Sequence, residues 1–485
     1  MSRRRTLLGA LVAAGATALA AVPATSAQQA AFPIPGPLDG PLPRYTGAPA
    51  TAAPLPGPFP PANPALAADG RSGSGLAAGN GAASPYPGPL GVGTRSISAF
   101  AQGGCSSLAF DARDRLLAVC SNPLGPGLRL FDPRTLATRA SLALPLRPGP
   151  DRTDLAGGTH FVVRADGSLL VPTHARTLLR VTVEGDRLQE AGETDLGGAL
   201  GTGERPFAVG AGFDGRDWVV GTAGTVVTVP RDGGPVRALA LREPVAEDLA
   251  TNASGTYVVT RDALYRLVAR SDGTPRVVWR QPLGSGLADG RSGRIHEGPG
   301  TPPVMVAGGF VAVVDGLNPP RVTVLRTAGR DAQRLRCTVP VFRPGAGSVE
   351  AHLVAAGRSL VVSNAYGYQS LLTTEAGGTT TGGLARVVVG RRGCRVAWTS
   401  DVVTPSAQAV VSRATGLLYA IEKPAGFPDA WNLVALDWRT GARRFGVLAG
   451  EGLGFNSDGG AVVLGPDGVA YAGSFGGVTR FADAR

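Results

Sequence analysis

One local pattern recurs eight times between residues 108 and 471: a loop with Gly, Asp or Asn, then a short β-branched or aromatic run. Equivalent strand starts lie 39 to 58 residues apart. Such runs predict buried strands, and repetition at this period is typical of the blades of a β-propeller. The runs begin at Asp114, Gly167, Arg216, Gly255, Gly309, Arg358, Gly416 and Gly468.

The repeats predict an all-β, eight-bladed β-propeller over residues 94–485, with seven blades as the alternative. The last repeat supplies only three strands before Arg485, whereas residues 94–101 (TRSISAFA) alternate like a strand ahead of the first blade. Pairing of these two ends would complete the eighth blade and close the ring without an open edge. No segment shows an amphipathic helix pattern over three turns.

The region before the repeats predicts export rather than fold. Three arginines at residues 3–5, an apolar stretch over residues 7–21 and the small-residue site at 25–27 indicate a signal peptide over residues 1–27. The run from Ser2 to Leu8 also resembles a twin-arginine signal, so both export routes stay open. Residues 28–93, rich in Pro, Gly and Ala, predict a disordered linker. We expect a secreted, periplasmic or cell-surface protein without a membrane span.

The four cysteines predict two disulfides, Cys105 with Cys120 and Cys337 with Cys394, as expected in an oxidising compartment. Cys105 begins an inner strand and Cys120 ends the next, while Cys337 and Cys394 lie in late strands of neighbouring blades. No C-x-x-C motif is present, which argues against a metal or redox thiol site.

The net charge of +11 comes mainly from arginines scattered through turns and strand ends. They are not interleaved with aromatic residues, so we expect no nucleic-acid partner, although an acidic cell-wall or membrane surface would attract the protein at low salt. We expect a monomer. Phosphate-binding P-loop, zincin and G-x-S-x-G motifs are absent from the repeat region, which weakens the enzyme classes that need them.

A propeller brings the residues that enter its inner strands to one axial mouth. Three interpretations compete for the polar residues there. They are turn formers, or they form a calcium site with a histidine as general base, or they line a pocket for an organic ligand. The candidates are, for calcium, Glu247, Asp248, Glu350 and Asp458; for the base, His160 and His352; and for the ligand, Asn364, Tyr366, Tyr368, Trp431 and Asn456.

Residues 435–445 (ALDWRTGARRF) resemble the blade motif of quinoprotein-type propellers, A-x-D-x-x-T-G-x-x-x-W, with Phe445 in place of Trp, and residues 130–135 (LFDPRT) are a weaker copy. The resemblance implies eight blades that the motif docks together. Quinone-dependent members carry two adjacent cysteines and a calcium ion. No two cysteines are adjacent here, so pyrroloquinoline quinone is not expected.

A second resemblance, to a group of secreted bacterial propeller proteins without an established activity, covers nearly the whole repeat region and includes CSSLAFDARDRLLAVC and LGPDGVAYAGSFGG. It implies fold and export, not a reaction. We expect an axial mouth that binds a small molecule, a glycan or a protein. The alternative is a calcium-dependent enzyme, either a quinoprotein-like oxidoreductase or a lactonase-type hydrolase.

Overall fold

The computed structural model describes residues 34, 43–68, 70–72, 79–101, 103–122, 124–146, 160–245, 247–284, 298–328 and 334–484. These residues form eight antiparallel sheets, the blades of a propeller, arranged in a ring. The predicted signal peptide over residues 1–27 lies outside the described residues. Within them, no helix is long and apolar enough to cross a bilayer.

Three strands precede the first complete blade: β1 (Tyr45–Gly47), β2 (Ala83–Ser84) and β3 (Arg95–Phe100). Blades 1 to 4 follow in chain order, each with four strands numbered from the ring axis outward. Their strands are β4 (Gly104–Phe110), β5 (Leu116–Asn122), β6 (Gly125–Phe131), β7 (Thr138–Ala143), β8 (Val162–Val163), β9 (Leu169–Pro172), β10 (Thr177–Glu184), β11 (Arg187–Asp195), β12 (Pro206–Ala211), β13 (Arg216–Gly221), β14 (Thr225–Pro230), β15 (Arg237–Ala240), β16 (Ala250–Asn252), β17 (Gly255–Val259), β18 (Ala263–Ala269) and β19 (Pro275–Pro282).

Blades 5 to 8 continue the same order, and two short 3₁₀ helices, Leu371–Thr374 and Leu453–Phe455, lie in their loops. Their strands are β20 (Val304–Val306), β21 (Phe310–Val314), β22 (Arg321–Arg326), β23 (Leu335–Pro340), β24 (Val354–Ala356), β25 (Ser359–Ser363), β26 (Leu384–Gly390), β27 (Gly393–Ser400), β28 (Val410–Ser412), β29 (Leu417–Glu422), β30 (Ala430–Asp437), β31 (Arg443–Glu451), β32 (Val462–Leu464), β33 (Ala470–Ser474) and β34 (Gly477–Ala482).

The eight runs found in the sequence form the second strand of each blade, from β5 to β33, so the prediction of eight blades is confirmed and the seven-bladed alternative is wrong. Ring closure is confirmed as well. Strand β3 pairs antiparallel with β34, from Arg95 opposite Ala482 to Phe100 opposite Gly477, and supplies the outer strand of blade 8. The first and last strands of the propeller therefore share one sheet.

The antiparallel order gives the ring two distinct faces. Each inner strand starts on one face, here called the mouth face, which also carries the loops between second and third strands. The turns from first to second and from third to outer strand lie on the opposite side, here called the turn face. Hydrophobic residues pack between neighbouring blades, as Val306, Phe310 and Val324 of blade 5 do against Leu360 and Val387 of blade 6.

Part of the predicted linker is built into the propeller, which corrects the expectation for those residues. Strand β1 pairs with β31 at the outer edge of blade 7. Strand β2 pairs in parallel with β28, the inner strand of the same blade. Because the free edge of an inner strand faces the ring axis, β2 lies inside the central channel.

The described residues between 59 and 87, here called the inner segment, hydrogen-bond with seven blades. Backbone and amide groups of the segment bond with Phe110, Val163, Ala211, Leu249, Met305, Ala355 and Val411, in blades 1 to 7 respectively. A cavity of about 60 Å³ lies between the segment and Val463 and Leu464 of blade 8. Each inner strand has only a few unpaired backbone N–H and C=O groups on its free edge. A Pro- and Gly-rich chain, which forms few regular ladder hydrogen bonds, is therefore compatible with this position. The segment fills the part of the channel nearer the turn face.

Both predicted disulfides are present. Cys105 pairs with Cys120 within blade 1, across strands β4 and β5. Cys337 pairs with Cys394 and links the outer strands of blades 5 and 6. A cross-link between residues far apart in sequence restricts the unfolded chain more than a local one does, so the second bond contributes more to the closed ring in the chain-entropy account.

The blade motif docks neighbouring blades, as the quinoprotein resemblance implies. The Trp398 ring of blade 6 lies against Gly441 of blade 7, where a Cβ atom would come within 2.7 Å of the ring, and its Nε1 donates to the Trp438 carbonyl at 3.0 Å. Phe445, in the position where the family prefers Trp, stacks on Tyr45 of β1. The N-terminal strand therefore covers the aromatic ring of this motif.

The same motif contains an aspartate that organises its turn. Asp132 Oδ1 accepts from the backbone N–H groups of Arg134 and Thr135, and Oδ2 accepts from Arg139 at 2.7 Å. Asp437 repeats this pattern with Arg439, Thr440 and Arg444. Burial opposes ionisation of Asp132, but these hydrogen bonds prevail and lower its pKa to about 2.

We expect Asn80→Ala to lower the free energy of unfolding by about 1–3 kcal/mol, because its buried amide donates to the carbonyls of Leu249 and Pro303. Asn80 has a φ of 52°, so Asn80→Gly, which accepts this conformation, separates the lost hydrogen bonds from strain. Urea unfolding measures both variants. The exposed control Thr202→Ala should stay within about 0.5 kcal/mol of the wild type. Wild-type stability in both Asn80 variants would contradict an integral inner segment.

We expect Asp132→Asn to destabilise the protein most above about pH 4. The folded-state pKa lies below the unfolded one, so the carboxylate contributes stability above the unfolded value, and this is lost as the pH falls towards 2. Urea unfolding of both proteins between about pH 6 and pH 2 tests this. A stability difference that stays constant over this range would contradict it.

Candidate functional site

Three of the predicted side chains meet across the ring axis at the mouth face. His160 precedes the inner strand of blade 2, Asp248 that of blade 4 and His352 that of blade 6. Asp248 Oδ2 lies 3.7 Å from His160 Nδ1 and 3.5 Å from His352 Nε2. These blades are not neighbours, so only the radial arrangement brings the three side chains together. We call them the axial triad.

The axial triad is largely buried but reachable. The side chains of Asp248, His352 and His160 are 9%, 10% and 19% exposed. Burial raises the pKa of Asp248, but the charges of the two imidazoles and the hydrogen bond from His352 outweigh it and hold this pKa below its usual range. Asp248 is therefore a carboxylate at neutral pH.

Neighbouring blades fix the orientation of His160. Ser107 Oγ of blade 1 lies 3.3 Å from His160 Nδ1, and Phe207 of blade 3 packs edge-on with ring centroids 6.0 Å apart. Because Nδ1 faces Ser107 and Asp248, the other ring nitrogen, Nε2, points away from both. On His352 the arrangement is reversed, since Nε2 faces Asp248 and the buried Nδ1 has no hydrogen-bond partner among the described residues.

The inner segment forms part of the floor beneath the axial triad. Asn80 donates to the carbonyl of Leu249, the residue next to Asp248, at 2.9 Å. The mouth therefore opens on one side, with the triad above and the inner segment below. Glu247 and Glu350 are half-buried at the same mouth, each within two residues of a triad member.

A second polar cluster joins blades 6, 7 and 8 beside the mouth. The Tyr368 hydroxyl donates to Asp458 Oδ1 at 3.1 Å, and Ser406 donates to Asn456 Oδ1 at the same distance. Burial raises the pKa of Tyr368, and the charge of Asp458 raises it further, so the phenol remains a donor. Asp458 has a φ of 41°, and Asn456 Nδ2 donates to Thr374. This cluster ties three loops together.

The predicted aromatic pocket is not assembled. Trp431 and Tyr368 lie in the core, at 0% and 2% exposure. Both ends of the Asn364 side-chain amide hydrogen-bond to the backbone. Its oxygen accepts from the N–H groups of Ser348 and Tyr366, and its nitrogen donates to the carbonyls of Ala346 and Gly382. These residues shape loops instead of lining an open pocket.

The four predicted calcium ligands are also not gathered into one site. Asp248 belongs to the axial triad, whereas Asp458 belongs to the Tyr368 cluster. In the part of the chain that the structure describes, no group of three or more His, Cys, Asp or Glu side chains could hold a metal ion. The imidazoles flank a single carboxylate oxygen, which is a hydrogen-bonding arrangement.

Sequence reasoning missed two residues of this site. Ser107 was hidden because it lies inside a strand, where a serine carries no motif, and Asn80 because it lies in a stretch whose composition is typical of disorder. One available signal was the presence of two isolated asparagines, Asn63 and Asn80, in a segment dominated by Pro, Gly and Ala.

Comparison with known proteins supports the fold alone. No family model matches the chain. An uncharacterized protein from Archaeoglobus fulgidus is 28% identical over 277 residues, which are 50% of this chain and 53% of the relative, so the chain spans about half of that protein. Quinohemoprotein alcohol dehydrogenase from Comamonas testosteroni has a TM-score of 0.53 at 12% identity, covering 86% of this chain and 81% of that one. BamB from Moraxella catarrhalis gives 0.43 at 11% identity, covering 67% and 96%. The likeness to the quinohemoprotein dehydrogenase agrees with the propeller fold that the sequence motif implied.

We expect Asp248→Asn and His352→Ala to be coupled in a double-mutant cycle, with an interaction free energy of roughly 0.5–3 kcal/mol at neutral pH. The reason is their direct contact across the axis. Because the folded-state pKa of Asp248 is depressed, the coupling should be fully present above the ordinary carboxyl pKa and should be lost as the pH falls through the lower folded-state pKa. Urea unfolding gives the four free energies. Asp248→Asn with Tyr366→Phe should be additive, and additivity of the first pair at neutral pH would contradict the contact.

Proposed function

We propose that this propeller is a binding protein whose axial mouth takes a small organic cation, such as an alkylated ammonium compound. The observation that carries the proposal is the Asp248 carboxylate, held at the axis between His160 and His352. A small molecule suits the place better than a protein surface does, because the triad is recessed at 9% to 19% side-chain exposure. Concave sites with few convergent polar groups are typical of small-ligand binding.

Charge favours a cation over a neutral or anionic ligand. Asp248 is ionised at neutral pH, and Glu247 and Glu350 add acidic groups at the same mouth. A recessed carboxylate attracts a cation more strongly than an exposed one, since less solvent screens it. Phe207, half-buried beside His160, offers a ring face of the kind that recognises ammonium groups.

One observation favours a second candidate, general-base hydrolysis. His160 turns Nδ1 towards Asp248 and leaves Nε2 on the opposite edge of its ring, as an imidazole oriented by a carboxylate does in acid–base catalysis. This candidate keeps the hydrolase part of the alternative derived from the sequence and needs no metal ion. If it is correct, the protein hydrolyses a ligand bound at the mouth, and His160→Gln abolishes this hydrolysis but leaves binding of the ligand intact.

We expect choline to raise the melting temperature of the wild-type protein at about pH 8 in a saturable way, because a ligand that binds only the folded state stabilises it. The neutral isostere of choline, in which carbon replaces nitrogen, should not do so. Asp248→Asn should lose the shift, and the matched variant Asp401→Asn, an exposed aspartate away from the axis, should keep it. Differential scanning fluorimetry measures all combinations. Equal shifts with both compounds, or no shift with choline, would contradict the proposal.

A further inference from the structure

A group of exposed arginines lies on the turn face of blades 5, 6 and 7, on the opposite side of the ring from the mouth. The topology places the first-to-second and third-to-outer turns of these blades side by side on one face. Six exposed arginines lie in or next to these turns, and we call them the basic patch: Arg326, Arg358, Arg391, Arg392, Arg395 and Arg439.

The acidic residues that the structure describes around these turns do not neutralise the basic patch. Among the described residues of these turns and their flanks, the acidic one is Asp437, and its Oδ2 accepts from Arg444 at 2.8 Å. No described carboxylate forms an ion pair with any of the six patch arginines. The patch therefore keeps its positive charge.

Several contacts hold the arginines in place. Arg326 and Arg358 both stack on the Phe310 ring, with Cζ atoms 5.6 and 5.4 Å from its centroid. Arg439 donates to the carbonyls of Ala53 and Pro54 in the N-terminal region. Between blades 6 and 7, burial lowers the pKa of Arg386, and the nearby charges of Arg395 and Arg439 lower it further. Like charges kept this close favour an external anion.

We propose that the basic patch docks the protein onto an anionic lipid bilayer. Three adjacent blades present a broad row of guanidinium groups, which complements a surface of phosphate headgroups and not a single small anion. Leu335, 56% exposed at the start of β23, lies on the same rim and offers an apolar side chain to the headgroup region. Each basic residue near such a surface adds to the attraction. The mouth then faces away from the membrane, where it stays open to solutes.

The test is cosedimentation of the full chain with vesicles of phosphatidylcholine containing phosphatidylglycerol. The variant Arg391→Glu/Arg392→Glu should bind at least roughly tenfold more weakly than the wild type. The control Arg242→Glu/Arg343→Glu has the same change in net charge on exposed arginines of the mouth face, which points away from the bilayer, and it should bind as the wild type does. Raising the salt concentration should release the wild-type protein.

Equal weakening in both variants would overturn the proposal, since net charge alone would then explain the attraction. Soluble polyphosphate separates the two possible sources of phosphate. Binding to polyphosphate by calorimetry without binding to vesicles would overturn the bilayer as partner. All substituted arginines are exposed, so unchanged melting temperatures are expected and would show that any loss of binding is not unfolding.

Discussion

Closure of the ring is the constraint on which the rest of the molecule depends. The pairing of β3 with β34 joins the two ends of the propeller through one antiparallel ladder of six residue pairs. Without it, blades 1 and 8 would be free to separate, and blades 2, 4 and 6 would lose the common axis at which their inner strands begin. The contacts of Asp248 with His160 and His352 span 88 and 104 residues of sequence, so they exist only because the ring closes.

Much of the fold follows from the sequence because its signals are local. Each blade can be identified from a turn followed by a short apolar run. In the closing strand at residues 94–101, polar and apolar residues alternate as in an edge strand. The disulfides follow from the strand positions of Cys105, Cys120, Cys337 and Cys394. Residues that enter successive inner strands could therefore be named in advance, and His160, Asp248 and His352 were among them.

What the sequence could not reveal depends on contacts between distant residues. The inner segment has no periodicity of its own, because its backbone and side-chain amide groups bond to seven different blades instead of to a single partner strand. Composition alone therefore made it look disordered. Trp431 and Tyr368 looked like the walls of a pocket because loop position does not reveal whether a side chain turns into the core, where both lie. Likewise, the carboxylates Asp248 and Asp458 enter equivalent strands but face different partners, two imidazoles in one case and a phenol in the other.

The inner segment also explains how the two faces acquire different chemistry. It occupies the channel from the turn-face side, and through Asn80 it supports the backbone beside Asp248. An open channel would let water and ions reach the triad from both ends and screen its charge. With one end of the channel filled, less solvent screens the Asp248 carboxylate, and its attraction for a cation is stronger. The arginines of the basic patch then lie on the filled side, separated from the acidic mouth by the thickness of the blades. In the two proposals taken together, opposite charges on opposite faces orient the molecule at an anionic surface with its mouth directed outward.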